Sequence, residues 1–346
     1  MGIFPIFALE KKQRSLQILN TVLKLFRNQN PYAVLILFIT AALLKLPFFT
    51  TELSSSTLDH QVLWQLMLKK SSSILGSGSY FYYLISVINI TLQGLLLNYV
   101  CNEFHLFSER TYLPAYTYIL ITSLLPEWTN LSVEMMNNWL IIIMLNLVFH
   151  TYSDINVRKV LFNVGFVLGL LTIFNLPNFW FLFYAVIAIA ILRAYQPAEW
   201  MVTLLGVATP VYLFIGLAYL TDSMYMVSKA FSPDLDLYFI LEQKVVLALS
   251  LLALMLLISI ILLSRQMDRM LFQIKKMWWV SLLLLVFAMC STLGLYKMGT
   301  QIWHVIMVPM ALMLTQLWYI KKPRWMPELF NLILIAGIVA FNLILP

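Results

Sequence analysis

Charged residues are scarce in this 346-residue sequence, at 11%, where an ordinary soluble chain carries roughly 25%. Hydrophobic residues make up 62%. A soluble domain of this length could not bury so much apolar surface in one core, so lipid is the expected solvent for most of the chain. Cysteine is almost missing. Cys101 and Cys290 fall in different apolar segments, one beside a span end and one mid-span. That excludes a disulfide framework and a thiolate metal site. The four histidines, His60, His105, His150 and His304, show no metal-ligand spacing. No phosphate-cradling glycine loop, His-Glu-x-x-His or dinucleotide fingerprint occurs, so no cofactor is specified by a motif.

What the sequence has instead is long apolar runs. A span needs about 20 apolar residues, with roughly 17 as the lower limit. The candidate cores are 31–49, 80–100, 112–125, 135–150, 160–174, 179–192, 201–220, 244–264, 277–295, 303–319 and 326–345. The expected fold class is all-α, a polytopic transmembrane helix bundle of eleven spans. The count falls to ten if 160–192 is one long helix kinked at Asn175-Leu176-Pro177-Asn178. Two regions follow: an N-terminal interfacial segment over 1–30 and a transmembrane domain over 31–346. In the first, Leu16, Leu19, Val22, Leu23 and Phe26 recur at helical spacing, with Arg14, Lys24 and Arg27 between them. That is the pattern of an amphipathic helix in the headgroup layer, with a flexible basic tail as the plainer alternative.

Net charge is +7, and its distribution gives the orientation. With the N-terminus inside, sixteen Lys/Arg fall on the inner side against six outside, as the positive-inside rule requires. The expected location is the cell inner (plasma) membrane, multi-pass, with the N-terminus cytoplasmic and the C-terminus periplasmic. The basic charge is then a topology signal and a contact with anionic lipid heads, and no nucleic-acid partner is needed. Trp139, Trp180, Trp200, Trp278, Trp279, Trp303, Trp318 and Trp325 sit near proposed span ends, where an interfacial indole is favoured. Within spans, Asn89, Asn98, Asn146, Asn163, Gln316 and Asn342 read as interhelical hydrogen-bond partners. Pro210 and Pro309 read as kinks that could serve a carrier as hinges.

Candidate chemistry lies on the outer side. Within the loop 50–79, Ser56-Thr57-Leu58-Asp59 is a capping-box-like start, and an apolar stripe after it predicts a juxtamembrane helix near 57–70. Asp59 and His60 would be an acid/base pair facing the headgroups, or else a cap and a solvated imidazole. The next outer loop carries Glu127 and Glu134, the latter at a span start where the helix dipole favours an anion and a capping role. Two carboxylates on one face suit acid/base work or a divalent metal. Lys45 is near enough to a span end to snorkel. On the inner side Arg193, in a tight turn with Gln196 and Glu199, could hold a phosphate head or serve as a positive-inside anchor.

Three stretches carry a resemblance: Tyr112–Glu134 with its Leu-Leu-Pro-Glu-x-x-x-x-Ser core, Asn163-Val-Gly-Phe-Val-Leu-Gly-Leu-Leu, and Pro197-Ala-Glu-Trp-Met-Val-Thr-Leu-Leu-Gly-Val-Ala-Thr-Pro. Together they resemble an uncharacterised family of bacterial polytopic inner-membrane proteins. More distantly, the layout is similar to membrane glycosyltransferases of the GT-C type. That resemblance implies a lipid-linked sugar donor, with Asp59 and Glu134 as catalytic carboxylates. The remaining substrate-binding candidates are His60, Glu127, Lys45 and Arg193. The chain departs from that pattern in having Asp59-His60 where paired acids stand, and in lacking a large soluble C-terminal domain. Three functions stay open: a GT-C-like handler of polyprenyl-phosphate-linked sugars at the outer leaflet, a non-catalytic subunit or scaffold of an inner-membrane complex, and a carrier of lipid or a small solute. The expected partners are membrane lipids, a lipid-linked sugar and other membrane subunits.

Overall fold

The computed structural model describes residues 23–27, 32–46, 79–152, 156–193, 196–231, 243–293, 300–320 and 325–344. Asp59, His60, the juxtamembrane helix at 57–70 and most of the 1–30 segment lie outside the described residues. Every described regular element is helical: α1 (Tyr32–Lys45), α2 (Ser79–Glu103), α3 (Leu113–Thr122), α4 (Val133–His150), α5 (Val157–Phe174), α6 (Trp180–Leu192), α7 (Pro197–Leu220), α8 (Met224–Ala230), α9 (Gln243–Met267), α10 (Phe272–Leu293), α11 (His304–Leu314) and α12 (Trp325–Val339). Among the described residues eight helical stretches are long and apolar enough to cross a membrane, and three shorter apolar ones cover Tyr32–Lys45, Leu113–Thr122 and Leu176–Leu192.

Helix starts follow local chemistry. Pro114, Pro177 and Pro197 open α3, the turn before α6, and α7, where proline's missing N–H costs nothing and its fixed φ suits the first turn. Ser132 caps α4 by accepting from the Met135 N–H at 3.1 Å. Hydroxyls inside the bundle bond back to their own helix, as Thr117 does to the Leu113 carbonyl and Thr172 to the Gly169 carbonyl. These hydroxyls are thereby satisfied without water.

Two helices make the centre. All residues of α3 and all residues of α11 are buried. With ten residues, α3 extends only about 15 Å, half a bilayer core. It is tolerated because protein surrounds it. Around this pair pack α2, α4, α9, α10 and α12. The outside is an apolar girdle in which Leu92, Leu254, Leu257, Leu213 and Leu217 face outward. Polar residues lie within, the arrangement expected when the solvent is lipid.

The break at 175–178 is a reversal rather than a kink. Asn175 is extended, a single 3₁₀ turn spans Leu176–Phe179, and α6 then runs back along the bundle. Arg193, at the far end of α6, donates to the Thr151 carbonyl at 3.2 Å. Had 160–192 continued as one helix, those ends would stand roughly 50 Å apart. Asn178 fixes the turn, donating to the Leu171 carbonyl at 3.1 Å and accepting from Ser291 at 2.9 Å.

The closest helix pair is α5 with α7. A Cβ on Gly165 would fall 2.1 Å from the Thr203 carbonyl oxygen, and one on Gly206 would fall 2.3 Å from that of Phe162. Gly169 faces the ring of Pro210 at 2.4 Å in the same sense. Small residues let two backbones touch where no hydrophobic drive holds helices together. Pro210 is thus locked into a packing joint instead of standing free as a hinge.

Candidate functional site

At one end of the bundle, buried polar groups converge on the 3₁₀ turn Pro126–Thr129. The turn starts at Pro126, after an extended Leu125, and three helices grip it. Lys45, the last residue of α1, has no solvent exposure. Its ammonium donates to the Thr122 carbonyl at 3.1 Å and to the Thr129 hydroxyl at 3.2 Å. Ser86 of α2 donates to the Thr129 carbonyl. His304, the first residue of α11, sets Nε2 2.6 Å from the Trp128 carbonyl. A carbonyl can only accept, so Nε2 carries the proton. Nδ1 of the same ring is buried without a partner among the described residues.

Lys45 therefore does not snorkel. Its amine turns inward because carbonyl and hydroxyl acceptors stand within reach there. Among the described residues no carboxylate lies within ion-pair distance of it. The two acids of this end take different places. Glu127 is half-buried on the turn itself, whereas Glu134 is buried in the first turn of α4. Ser132 caps α4, and Glu134 sits in the same first turn, where the helix dipole favours an anion. Among the described residues no three His, Cys, Asp or Glu side chains gather to hold a metal ion.

Deeper in the same end, the Met135 carbonyl accepts from Gln93 at 2.7 Å. Gln93 accepts from Tyr118 at 2.7 Å, and Tyr118 accepts from Asn138 at 2.9 Å. Beside this chain the amide of Asn137 is fully buried, with neither polar atom partnered among the described residues. Gln93 and Asn138 were not legible as a pair because nothing in sequence spacing relates α2 to α4. Of the amides expected to join helices, Asn89 does so through Trp139, and Asn342 through the Ser123 carbonyl at 3.2 Å. Gln316 has no such bond among the described residues.

The opposite end carries Arg193. Its guanidinium donates to Thr151 and lies 3.5 Å from the Glu199 carboxylate, which is buried. Both faces of the fork are engaged within the protein, which makes Arg193 a staple between α4, α6 and α7. Beside it Lys276 donates to the Leu192 carbonyl at 3.4 Å and lies over the Tyr152 and Phe272 rings. Two tryptophans expected at the interface are interior. Trp278 is fully buried, and Trp318 donates to the Thr117 hydroxyl at 2.6 Å. Trp279 and Trp325 do stay exposed.

This second end also holds an open cleft of about 610 Å³, lined in part by His105, Arg265, Arg269, Gln316 and Tyr319. Arg265 and Arg269 are two of the sixteen inner basic residues that set the orientation. The only signal that could have singled them out is their spacing, one helical turn apart at the end of a long apolar helix.

Residues 73–345 match a protein family described as "Family of unknown function (DUF6427)". No curated protein and no solved structure matches the chain.

Proposed function

The chain belongs to the DUF6427 family, and we propose that it is a GT-C-like membrane protein handling a polyprenyl-phosphate-linked substrate at the end of the bundle marked by Lys45. One observation carries this reading. Lys45 is a fully buried amine with a carbonyl and a hydroxyl for partners, and with no carboxylate in ion-pair distance among the described residues. Burying an ammonium without a counter-charge is costly, and ionisable groups kept inside membrane segments mark binding or transfer sites. An ammonium has three N–H donors, and a phosphate oxygen is a suitable acceptor for the third. Glu127, on the turn that Lys45 holds, and Glu134, in the helix that follows, would supply general acid and base. By the resemblance to GT-C enzymes, Asp59 would join them, with His60 beside it.

The test is lipid analysis of protein purified in mild detergent. Wild-type protein should retain a polyprenyl phosphate or its glycosylated form, and Lys45→Met should lose it while still unfolding in one cooperative transition, at whatever temperature. Glu134→Gln should keep the lipid and lose sugar transfer in reconstituted membranes. Equal lipid content in wild type and Lys45→Met would overturn the reading.

A second reading, a non-catalytic subunit of an inner-membrane assembly, draws on α7. That helix packs along α5 and leaves Tyr212, Leu213, Leu217 and Leu220 strongly exposed, a face that a partner helix would cover.

A further inference from the structure

The cleft at the other end of the bundle owes nothing to the Lys45 site. Three segments distant in sequence form it: the turn that ends α2, the last turn of α9 with the residues after it, and the 3₁₀ turn Thr315–Tyr319 that ends α11. Arg265 and Arg269 lie one turn apart on its rim, both exposed. Arg265 belongs to the last turn of α9 and Arg269 to the turn that follows it, and both line the same opening. Neither has a carboxylate within ion-pair distance among the described residues, whereas Arg27, Arg193 and Lys275 each do.

The floor is polar at one point. Gln316 is 2% exposed, lines the cleft, and has no hydrogen-bond partner among the described residues. Its amide offers the cleft a donor and an acceptor. His105 closes the near edge in the left-handed region, at φ 50. It follows α2 as an αL cap, with the Leu106 N–H donating to the Cys101 carbonyl at 3.0 Å. Glycine is the usual residue at that position, since a side chain there is strained. The cleft gains an imidazole at its edge in return for that strain. The remaining wall is apolar, formed by Leu262, Leu271 and Ile274 among others.

Two unpaired guanidiniums, an amide and an imidazole above an apolar wall match one ligand chemistry: a phosphate anion, with room beside it for a hydrocarbon chain. Basic pockets between membrane helices hold such headgroups, and guanidinium pairs with phosphate by forked hydrogen bonds. We infer that the cleft between Arg265, Arg269, His105 and Gln316 is a phosphate-binding site, with the phosphate of a lipid headgroup or free phosphate as its source. This goes beyond the function proposed above and does not depend on it, since no residue is shared between the two ends.

Binding is measured by native mass spectrometry on full-length protein in phosphatidylcholine nanodiscs. The probes are dihexanoyl phosphatidic acid, dihexanoyl phosphatidylcholine and inorganic phosphate. Phosphatidic acid should bind saturably, and Arg265→Gln/Arg269→Gln should weaken it by about tenfold or more, as loss of charge-assisted hydrogen bonds requires. Arg158→Gln/Lys159→Gln removes the same charge from the same end outside the cleft, and should change affinity less than about twofold. His105→Gly deletes the imidazole while relieving the left-handed strain, so it should weaken binding with no loss of stability. Inorganic phosphate binding as tightly as phosphatidic acid supports the site with free phosphate as its source, and preference for the lipid supports the headgroup. Equal loss in the two double variants, or phosphatidylcholine binding equal to phosphatidic acid, would overturn the proposal.

Discussion

The ammonium of Lys45 and the hydroxyl of Thr129, 3.2 Å apart and both buried, tie the end of α1 to the turn that precedes α4. Thr129 also accepts from Ser86 through its carbonyl, so one threonine receives bonds from two helices. Thr129→Val keeps the shape and removes the hydroxyl. It should destabilise the protein by about 1–3 kcal/mol, the cost of leaving a buried polar group short of a partner. Combined with Lys45→Met, the total should fall below the sum of the single effects by about 0.5–3 kcal/mol. Thermal unfolding of all four proteins in detergent checks this. Strict additivity would show that the two side chains are uncoupled.

The α5–α7 contact gives a sharper contrast. Gly165→Ala and Gly206→Ala each push a methyl into a backbone carbonyl with no flexible neighbour to yield. Each should cost about 1–3 kcal/mol, the usual range for overpacking. Gly216, on the same helix as Gly206, has nothing within 4 Å of its added Cβ. Gly216→Ala should be neutral or gain up to about 1 kcal/mol from helix propensity. A loss at Gly216 equal to that at Gly206 would count against the packing account.

For Arg193, engagement by Glu199 and Thr151 predicts a structural rather than a ligand-binding phenotype. Glu199→Gln should lower stability by about 1–3 kcal/mol, because the carboxylate is buried and its loss leaves the guanidinium short of a charged acceptor. Added anionic lipid should stabilise wild type and Arg193→Gln by the same amount. Loss of that lipid response in Arg193→Gln would restore the phosphate reading of this residue.

Orientation is testable by labelling. In a background with Cys101 and Cys290 replaced, Thr221→Cys lies in the exposed turn after α7, and Arg158→Cys is exposed at the start of α5. A membrane-impermeant thiol reagent should modify Thr221→Cys on intact cells and Arg158→Cys after lysis alone. The reverse pattern would invert the topology drawn from the positive-inside rule.

Depth in the bundle was far easier to read than direction. Every apolar core proposed from the sequence overlaps a helix, and among the described residues eight stretches reach crossing length. Apolar runs mark their own position along the chain. Helices such as α3 and α6 are apolar on every face, so periodicity does not mark the side that turns inward. That is why Lys45 looked like a snorkelling end residue and Trp318 like an interfacial one, when both have partners in the interior. The arginine cleft was hidden for another reason. His105, Arg265 and Gln316 belong to separate segments, and only the packing of α2, α9 and α11 ends brings them to one opening.

The glycine contact between α5 and α7 also bears on how the chain is made. Between those partners the chain must first lay down α6, which packs against α10 instead. During synthesis Gly165 therefore enters the bilayer well before Gly206 exists to meet it. The tightest joint in the protein is a late one, and until it closes α5 depends on α4. Until α7 has inserted, α5 lacks the partner that covers its glycine face, and that interval is when it is most open to quality-control proteases.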